Sequence, residues 1–303
     1  MTATRLATLL AVLLVAPALP GIATRTKSLL TGRRGAPVLQ LYADLAKLVR
    51  KGVVYSRTTT VVFRAAPVVL AASVLVAALL LPLDGRAPIV GFTGDLVAFA
   101  GLLGLGRFAL VLGALDTGSS FEGMGTSREV TVAAFAEPAL LLCFSVLVLV
   151  TGSLSLGGML GIPLAAAWPT AVPSLVLAGA SLFMLLLAET ARVPIDDPAT
   201  HLELTMIHEV MVLDHSGPDL ALILYAGAVK FALFAAVVVS VLVPLARFDP
   251  WVSGGVLLAG LAVIGVLVGI IEAVMARLRM DRIPQFLVAA SALAGFGVIL
   301  LLR

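Results

Sequence analysis

Residues 220–243 read LALILYAGAVKFALFAAVVVSVLV, and Lys230 is the single charged residue among these 24. About 20 consecutive apolar residues are enough to cross the hydrocarbon core of a bilayer as a helix. The whole chain is 61% hydrophobic and 12% charged, with a mean hydropathy of +1.15. The sequence therefore predicts an all-α integral membrane protein, a single polytopic domain over residues 1–303 with eight spans: 6–22, 63–81, 96–115, 130–150, 172–188, 220–243, 252–271 and 285–302.

The lysines and arginines of the connections indicate how the chain lies in the bilayer. Fourteen of them fall on one side, nine of these between Ala23 and Arg64, and four fall on the other side. Connections rich in Lys and Arg stay in the cytoplasm. We therefore expect a multi-pass protein of the cell inner membrane, with cytoplasmic charged loops and both termini outside. This orientation explains the net charge of +3, so the expected partner is the lipid bilayer and not nucleic acid.

The first cytoplasmic connection contains VLQLYADLAKLVRK at residues 38–51. Its leucines recur at helical spacing beside Asp44 and Lys47, which is the pattern of an amphipathic helix at the membrane surface. The alternative is a solvated basic linker. A second polar connection, TGSSFEGMG at residues 117–125, carries Glu122, and we interpret it as a flexible turn between two spans.

The most charged connection is ETARVPIDDPATHLELTMIHEVMVLDHSGPD, residues 189–219, which holds seven of the 17 acids and all three histidines. Asp197 followed by Pro198 predicts a helix start, because Asp caps free amides and Pro is tolerated at the first helical position. We expect this cytoplasmic helix to run to about Leu213.

The faces of this predicted helix differ in polarity. One face is polar and carries His201, Thr205, His208 and Glu209, and we expect it to contact a partner protein. Glu203 instead projects into the apolar sector. A buried carboxylate must be neutral or meet a cation. We therefore interpret Glu203 as a proton-relay or coupling acid. The alternative is a structural hydrogen bond to a partner subunit.

Nothing in the sequence predicts a cofactor or a catalytic residue on this chain. The histidines recur every seven residues, which separates neighbours by ~10.5 Å along a helix, too far to share one metal ion. Cys143 is the single cysteine and cannot form a disulfide, a zinc site or an iron-sulfur cluster by itself. Phosphate-loop, nucleophile-elbow and dinucleotide motifs are absent. Any electron-transfer centre is therefore expected on another chain.

Ionisable residues in and beside the predicted spans form a second candidate site. Each costs ~2.5–3.5 kcal/mol at a helix centre, so such residues usually face a cavity, a partner or an ion path. The alternative for those inside the spans is a buried structural ion pair. The candidates are Arg107, Glu137 and Lys230 inside spans, and Asp116, Glu189 and Glu272 at span ends.

Four motifs lie in the connections: residues 189–217 as quoted above, LDTGSSFEGMGTSREVTVAAFAEPALLL at 115–142, RKGVVYSRTT at 50–59 and EAVMARLRMDRIPQFL at 272–287. Together they resemble the membrane subunit of formate hydrogenlyase and related energy-converting NiFe hydrogenases. That subunit is similar to subunit 1 of respiratory complex I, which forms the quinone chamber. The resemblance extends over most of the chain.

The resemblance implies an eight-helix membrane anchor that is not catalytic alone. Such a subunit docks the large and small NiFe hydrogenase subunits and an iron-sulfur protein, which carry the NiFe centre and the iron-sulfur clusters. It also contacts antiporter-like membrane subunits and links electron transfer to the translocation of protons or sodium. We expect the same partners and the same role for this chain.

Departures from the complex I pattern argue against quinone chemistry. In its form ETNRAPFDLPEAESEL, that pattern has acids where Ala199 and His201 stand here, although Glu189, Arg192, Pro194, Asp196, Pro198, Glu203 and Leu204 fit. Gly52 likewise replaces the final acid of the surface-helix motif QPIADAIKLLTKE. Less negative charge is therefore expected beside the cavity that receives quinone in complex I.

These observations assign roles to individual residues. We predict proton or ion coupling by Glu137, Glu189, Asp196, Glu203, Glu209, Glu272, Asp116 and Lys230, with Arg107, Arg192 and Arg277 as charge partners. We predict partner docking by Asp44, Lys47, His201, His208 and Arg279. Three alternatives stay open: a quinone-reducing complex I subunit, an independent secondary transporter, and a passive anchor with no ion path.

Overall fold

The computed structural model describes residues 2–196 and 206–302, and within these two ranges the regular structure is entirely helical. Short 3-10 turns cover Glu209–Val212, Leu245–Arg247 and Met280–Arg282. The α-helices are α1 Thr2–Val15, α2 Ala18–Leu30, α3 Gln40–Val49, α4 Val61–Leu80, α5 Asp95–Asp116, α6 Ser120–Thr151, α7 Leu156–Met159, α8 Ile162–Glu189, α9 Gly217–Leu242, α10 Pro250–Val274 and α11 Ile283–Leu301.

Helix length and composition confirm the predicted fold class. In the described part of the chain, seven helices are long and apolar enough to cross a membrane: α4, α5, α6, α8, α9, α10, and α11 together with the turn before it. The pair α1 and α2, bent by 46° at the break between them, would make an eighth span. The expected surface helix is present as α3, on which Lys47 is exposed.

The first predicted span, residues 6–22, is broken at Pro17. Proline has no N–H, so the carbonyl of Leu13 loses its normal helical donor. The Tyr225 hydroxyl of α9 donates to this carbonyl at 3.3 Å, and the Tyr42 hydroxyl of α3 donates to the carbonyl of Leu14. The break is therefore held from two other helices and joins the surface helix to the first span.

Two spans begin earlier than predicted, because polar residues and prolines were taken as loop signals. α6 starts at Ser120, so the segment interpreted as a flexible turn is largely the first turns of this helix. α8 starts at Ile162 and continues through Pro169 and Pro173. The extension of α6 places two further acids, Glu122 and Glu129, on a helix.

The predicted cytoplasmic helix is only partly open to comparison, since residues 197–205, including His201 and Glu203, lie outside the described residues. The prediction that this helix runs to Leu213 is wrong from Met206 onward. This stretch forms a 3-10 turn, Glu209–Val212, because its apolar residues Val210 and Met211 are buried against the bundle.

The bundle is arranged around α9, which contacts α1, α2, α3, α4, α8 and α10. Lys230, in the middle of α9, therefore lies inside the protein. In membranes, helices associate largely through close packing at small residues. α5 follows this rule against α4: a Cβ added at Gly113 would lie 2.8 Å from the Cβ of Ala66.

The close approach of α4 and α5 can be tested by one added methyl group. Gly113→Ala should lower the unfolding free energy by ~1–3 kcal/mol, because the added carbon overpacks the interface with α4. Thermal unfolding of the detergent-purified protein measures this change.

Gly101→Ala on the same helix is the matched control, since a Cβ there meets no described atom within 4 Å. Alanine is the better helix former by ~1 kcal/mol, so this variant should be as stable as the parent or more so. If both variants lose the same unfolding free energy, the close contact at Gly113 is not the cause of the loss in Gly113→Ala.

Candidate functional site

Arg107 of α5 is the centre of a buried network of charged side chains, and its own side chain is 9% exposed. Its Nη1 lies 2.7 Å from Oε1 of Glu137, and its Nε lies 3.3 Å from Oε1 of Glu129. Its Nη2 donates to the carboxylate of Glu189. One guanidinium therefore joins two acids of α6 to the last residue of α8.

Glu189 is shared between two cations. Besides Arg107, it contacts Lys230 of α9, whose Nζ lies 2.7 Å from Oε2 of Glu189. The Glu189 side chain is 5% exposed, whereas that of Glu137 is 57% exposed. The network therefore runs from the interior of the bundle at Lys230 to its lateral surface at Glu137.

Two further ion pairs fix the chain that follows Glu189. Arg192 lies 3.2 Å from Glu272 at the end of α10, and its guanidinium lies 5.4 Å from the ring centroid of Phe231. Arg277 lies 3.2 Å from Asp196. In addition, the Leu278 amide donates to the carbonyl of Pro194 at 2.8 Å. The segment 190–196 is therefore held against the end of α10.

Asp196 also holds the 206–216 segment, which we call the return loop. The Oδ2 atom of Asp196 accepts hydrogen bonds from the amides of Ile207 at 2.9 Å and His208 at 3.3 Å. Partial burial lowers the pKa of His208, and Glu129 and Asp196 oppose this effect. His208 is therefore mainly uncharged near neutral pH.

Two cavities meet at the network. The first has a volume of about 220 Å³ and lies beside the return loop, and the second has a volume of about 230 Å³ and lies beside Glu137. Arg107 and Glu189 line both cavities, so they stand between them. Other charged or titratable residues that line the first cavity are Glu129, Arg192, Asp196, His208, Glu209 and Lys230.

Most of the residues predicted for coupling lie at or beside this network. Arg107, Glu137, Glu189 and Lys230 are in direct contact, and the pairs Arg192–Glu272 and Arg277–Asp196 adjoin them. His208 was expected on a docking face but lines the first cavity, together with Glu209.

Asp116 was predicted as a coupling acid, and the structure places it elsewhere. Its carboxylate accepts from the Thr60 amide at 2.6 Å, the Thr60 hydroxyl at 2.8 Å and the Phe63 amide at 3.3 Å. These contacts cap the free amides at the start of α4. Asp116 is thus a structural group at the surface.

Three of the residues predicted for docking, Asp44, Lys47 and Arg279, lie in surface segments, whereas His201 lies outside the described residues. Lys47 is exposed, and Asp44 accepts a hydrogen bond from Gln40 at 3.0 Å. Arg279 is 79% exposed and lies 3.3 Å from Asp281. Among the residues that the structure describes, no three His, Cys, Asp or Glu side chains are grouped closely enough to hold a metal ion.

Glu129 is the network member that sequence reasoning missed. It precedes the span predicted from Val130, so it was assigned to a connection. The spacing of the two acids was a signal that could have identified it. Glu129 and Glu137 are about two helical turns apart, so a helix that begins before Val130 places both on the same helix.

The fold and site define a polytopic membrane protein with a buried ion-pair network between two cavities. The chain belongs to the NADH dehydrogenase family, whose sequence model matches residues 4–302. It is 34% identical to hydrogenase-4 component C of Escherichia coli (strain K12) over 238 residues, 78% of this chain and 73% of that protein. It is 31% identical to formate hydrogenlyase subunit 4 of the same organism over 291 residues, 93% of this chain and 91% of that protein.

A solved structure shares the fold over nearly the full length. The membrane-bound sulfane sulfur reductase, an archaeal respiratory membrane complex, contains a chain that matches with a TM-score of 0.82 and 17% identity, covering 99% of this chain and 98% of that chain. The resemblance inferred from the sequence motifs is confirmed.

The buried acid Glu189 and the exposed acid Glu137 should respond differently to the same substitution. Glu189→Gln leaves Lys230 and one arm of Arg107 without their buried carboxylate, so the unfolding free energy should fall by ~3–5 kcal/mol. Glu137→Gln removes a carboxylate that is 57% exposed, and Arg107 keeps Glu129 and Glu189, so the cost should be no more than ~1 kcal/mol. Thermal unfolding of both purified variants measures the difference. A larger loss for Glu137→Gln would mean that Glu189 is not the central acid.

Proposed function

We propose that this chain is the membrane subunit of a hydrogenase complex of the formate hydrogenlyase type. It docks a soluble arm and links electron transfer in that arm to the translocation of protons or sodium. Family membership and the two Escherichia coli relatives support this role. The observation that carries it is the position of Arg107 and Glu189 between two cavities, with Lys230 as a second cation.

The network is suited to moving a proton because its carboxylates compete for few cations. As described, it contains two cations and three acids, Glu129, Glu137 and Glu189. A proton that binds one carboxylate removes its charge and weakens its pair with Arg107. The guanidinium then interacts more strongly with the remaining acids. Proton binding at the first cavity thereby strengthens the interaction of Arg107 with Glu137.

The return loop is the element through which a soluble arm would act on the network. It brings His208 and Glu209 to the first cavity, and Asp196 holds its first amides. A docked subunit that moves this loop changes the distance between Asp196 and its partners, and with it the field at Glu189. Glu203 remains a predicted coupling acid, and His201 remains a predicted docking residue.

The proposed partners are those that the resemblance to energy-converting NiFe hydrogenases implies. They are the large and small NiFe hydrogenase subunits, an iron-sulfur protein and antiporter-like membrane subunits, and the NiFe centre and iron-sulfur clusters would lie on those partners. The distribution of Lys and Arg supports an orientation with the charged loops in the cytoplasm and both termini outside. The 57% exposure of Glu137 supports contact with a neighbouring membrane subunit.

A quinone-reducing subunit of the complex I type is the second candidate. The first cavity supports it, because its lining includes many apolar residues, such as Leu70, Val74 and Leu103, beside neutral His208. His208 and Arg192 would then hold the quinone oxygens, and the bound quinone would supply a two-electron acceptor. A quinone retained by the purified complex, or inhibition by a competitor for quinone sites, would favour this alternative over the first.

Ion translocation can be tested without unfolding the chain. Glu137→Gln should reduce proton or sodium uptake per hydrogen produced in vesicles at least about tenfold, because the outermost carboxylate can no longer bind and release a proton. The measurement is ion uptake during turnover of the assembled complex.

Asp249→Asn is the matched control, since this exposed acid before α10 makes no capping hydrogen bond and lies apart from the network. It should leave uptake unchanged. Normal uptake by an assembled Glu137→Gln complex would leave the chain as a passive anchor.

A further inference from the structure

Glu122 in the first turn of α6 is buried in an unusual way. The residue is 1% exposed, and its Oε2 atom has no hydrogen-bond partner. Its Oε1 atom accepts one bond from the amide of Asp214, at 3.3 Å, and the Thr117 hydroxyl lies beside the same carboxyl group. That hydroxyl already donates to the carbonyl of Ala114 at 2.8 Å. The carboxyl group is therefore held by few donors.

Other buried acids of the described chain are better satisfied. Glu189, Glu272 and Asp196 each meet a cation. Asp95, which is 0% exposed, has no cation but accepts a backbone amide on each oxygen, from Leu156 at 2.6 Å and Phe92 at 3.4 Å. Burial of a carboxylate without such partners is costly, and binding a proton removes the cost.

Among the residues that the structure describes, no cation pairs with Glu122. Asp214 belongs to the return loop and adds a second acid beside Glu122, and Asp219 of α9 is bonded by the Tyr55 hydroxyl at 2.8 Å. Arg64 lies over the Tyr55 ring at 4.6 Å, and Arg128 donates to the carbonyl of Met206 at 2.9 Å. These two described cations are thus engaged with other groups.

His215 adds an independent observation at the same junction. It directly follows the amide that Glu122 binds, is 3% exposed, and has no hydrogen-bond partner on either ring nitrogen. Its ring stacks on Phe63 with centroids 3.9 Å apart. Burial lowers the pKa of His215, although Asp219 and Asp214 oppose this, so the imidazole is neutral near pH 7 and is not a counter-cation. It offers one N–H and one lone pair for proton exchange.

We propose that Glu122 is a proton-binding site, separate from the Arg107 network, that sets how tightly the return loop is held against α6. An O–H bond forms at Oε2, the proton comes from water on the loop side, and the charge of the group changes from −1 to 0. An ionised carboxylate accepts the Asp214 amide more strongly than a neutral carboxyl does. Proton binding therefore loosens the end of the loop, and loosening the loop favours proton binding.

The link to ion movement rests on the function proposed above, because the same loop brings His208 and Glu209 to the first cavity. Arg128 and Asp196 hold the start of the loop through backbone groups, whereas Glu122 holds its end. A proton at Glu122 would thus change the mobility of the loop without disturbing the two contacts at its start.

Hydrogen–deuterium exchange of peptide 206–216 in the intact complex tests the proposal. After correction for the intrinsic pH dependence of exchange, the parent loop should exchange about five- to tenfold faster at the acidic end of a pH series, since a bond to a charged group is replaced by a weaker neutral one. Glu122→Gln should exchange at this faster rate at every pH. A parent loop with no corrected pH dependence, or a Glu122→Gln loop that keeps it, overturns the proposal.

Two further variants complete the design. Asp95→Asn makes the same change at a buried carboxyl that binds other backbone amides, and it should leave exchange of the return loop as in the parent. Should Glu122→Gln fail to assemble, Glu122→Asp withdraws the carboxyl from the Asp214 amide and should also give fast exchange at every pH. Parent-like slow exchange in Glu122→Asp overturns the proposal. Exchange is read without ion pumping, so its outcome is independent of the function proposed above.

Discussion

The contact of Glu189 with both Arg107 and Lys230 is the interaction on which the site depends. An unpaired charge inside a bilayer protein is costly, and three charges from α5, α8 and α9 satisfy one another here. This requirement fixes the rotation of three helices at one depth, because Arg107, Glu189 and Lys230 must all turn inward to meet one another. The two cavities are then separated by polar groups that apolar packing alone would not place there.

The same constraint explains why the chain after α8 is so strongly held. A loop that leaves the bilayer at Glu189 would be free to move with any docked subunit. Arg192 and Asp196, however, pair with Glu272 and Arg277, which belong to the end of α10 and the connection after it. The return loop is held instead by hydrogen bonds to Asp196, Arg128 and Glu122. In the proposed function, this loop could move with a docked subunit while the buried ion pairs stay intact.

The sequence was sufficient to predict the membrane fold, since apolar length alone identifies spans. It also identified most network residues, because a charge such as Lys230 is conspicuous in an apolar run. Their pairing could not be predicted, since contacts of residues 82 positions apart, as for Arg107 and Glu189, depend on helix rotation. Asp116 and Glu129 show the limit at helix ends: one acid expected to couple caps α4, and one assigned to a loop joins the network.

In the proposed function, the charge balance of the network gives proton transfer a direction. Three carboxylates share two cations, so full ionisation leaves one negative charge in excess, and the least buried acid can best bear it. That acid is Glu137, which is 57% exposed. In the proposed function, a proton that reaches Glu129 from the first cavity would remove this excess and weaken the contact of Glu129 with Arg107. Restoring that contact would then require release of a proton, and the exposure of Glu137 favours release on the side facing the second cavity.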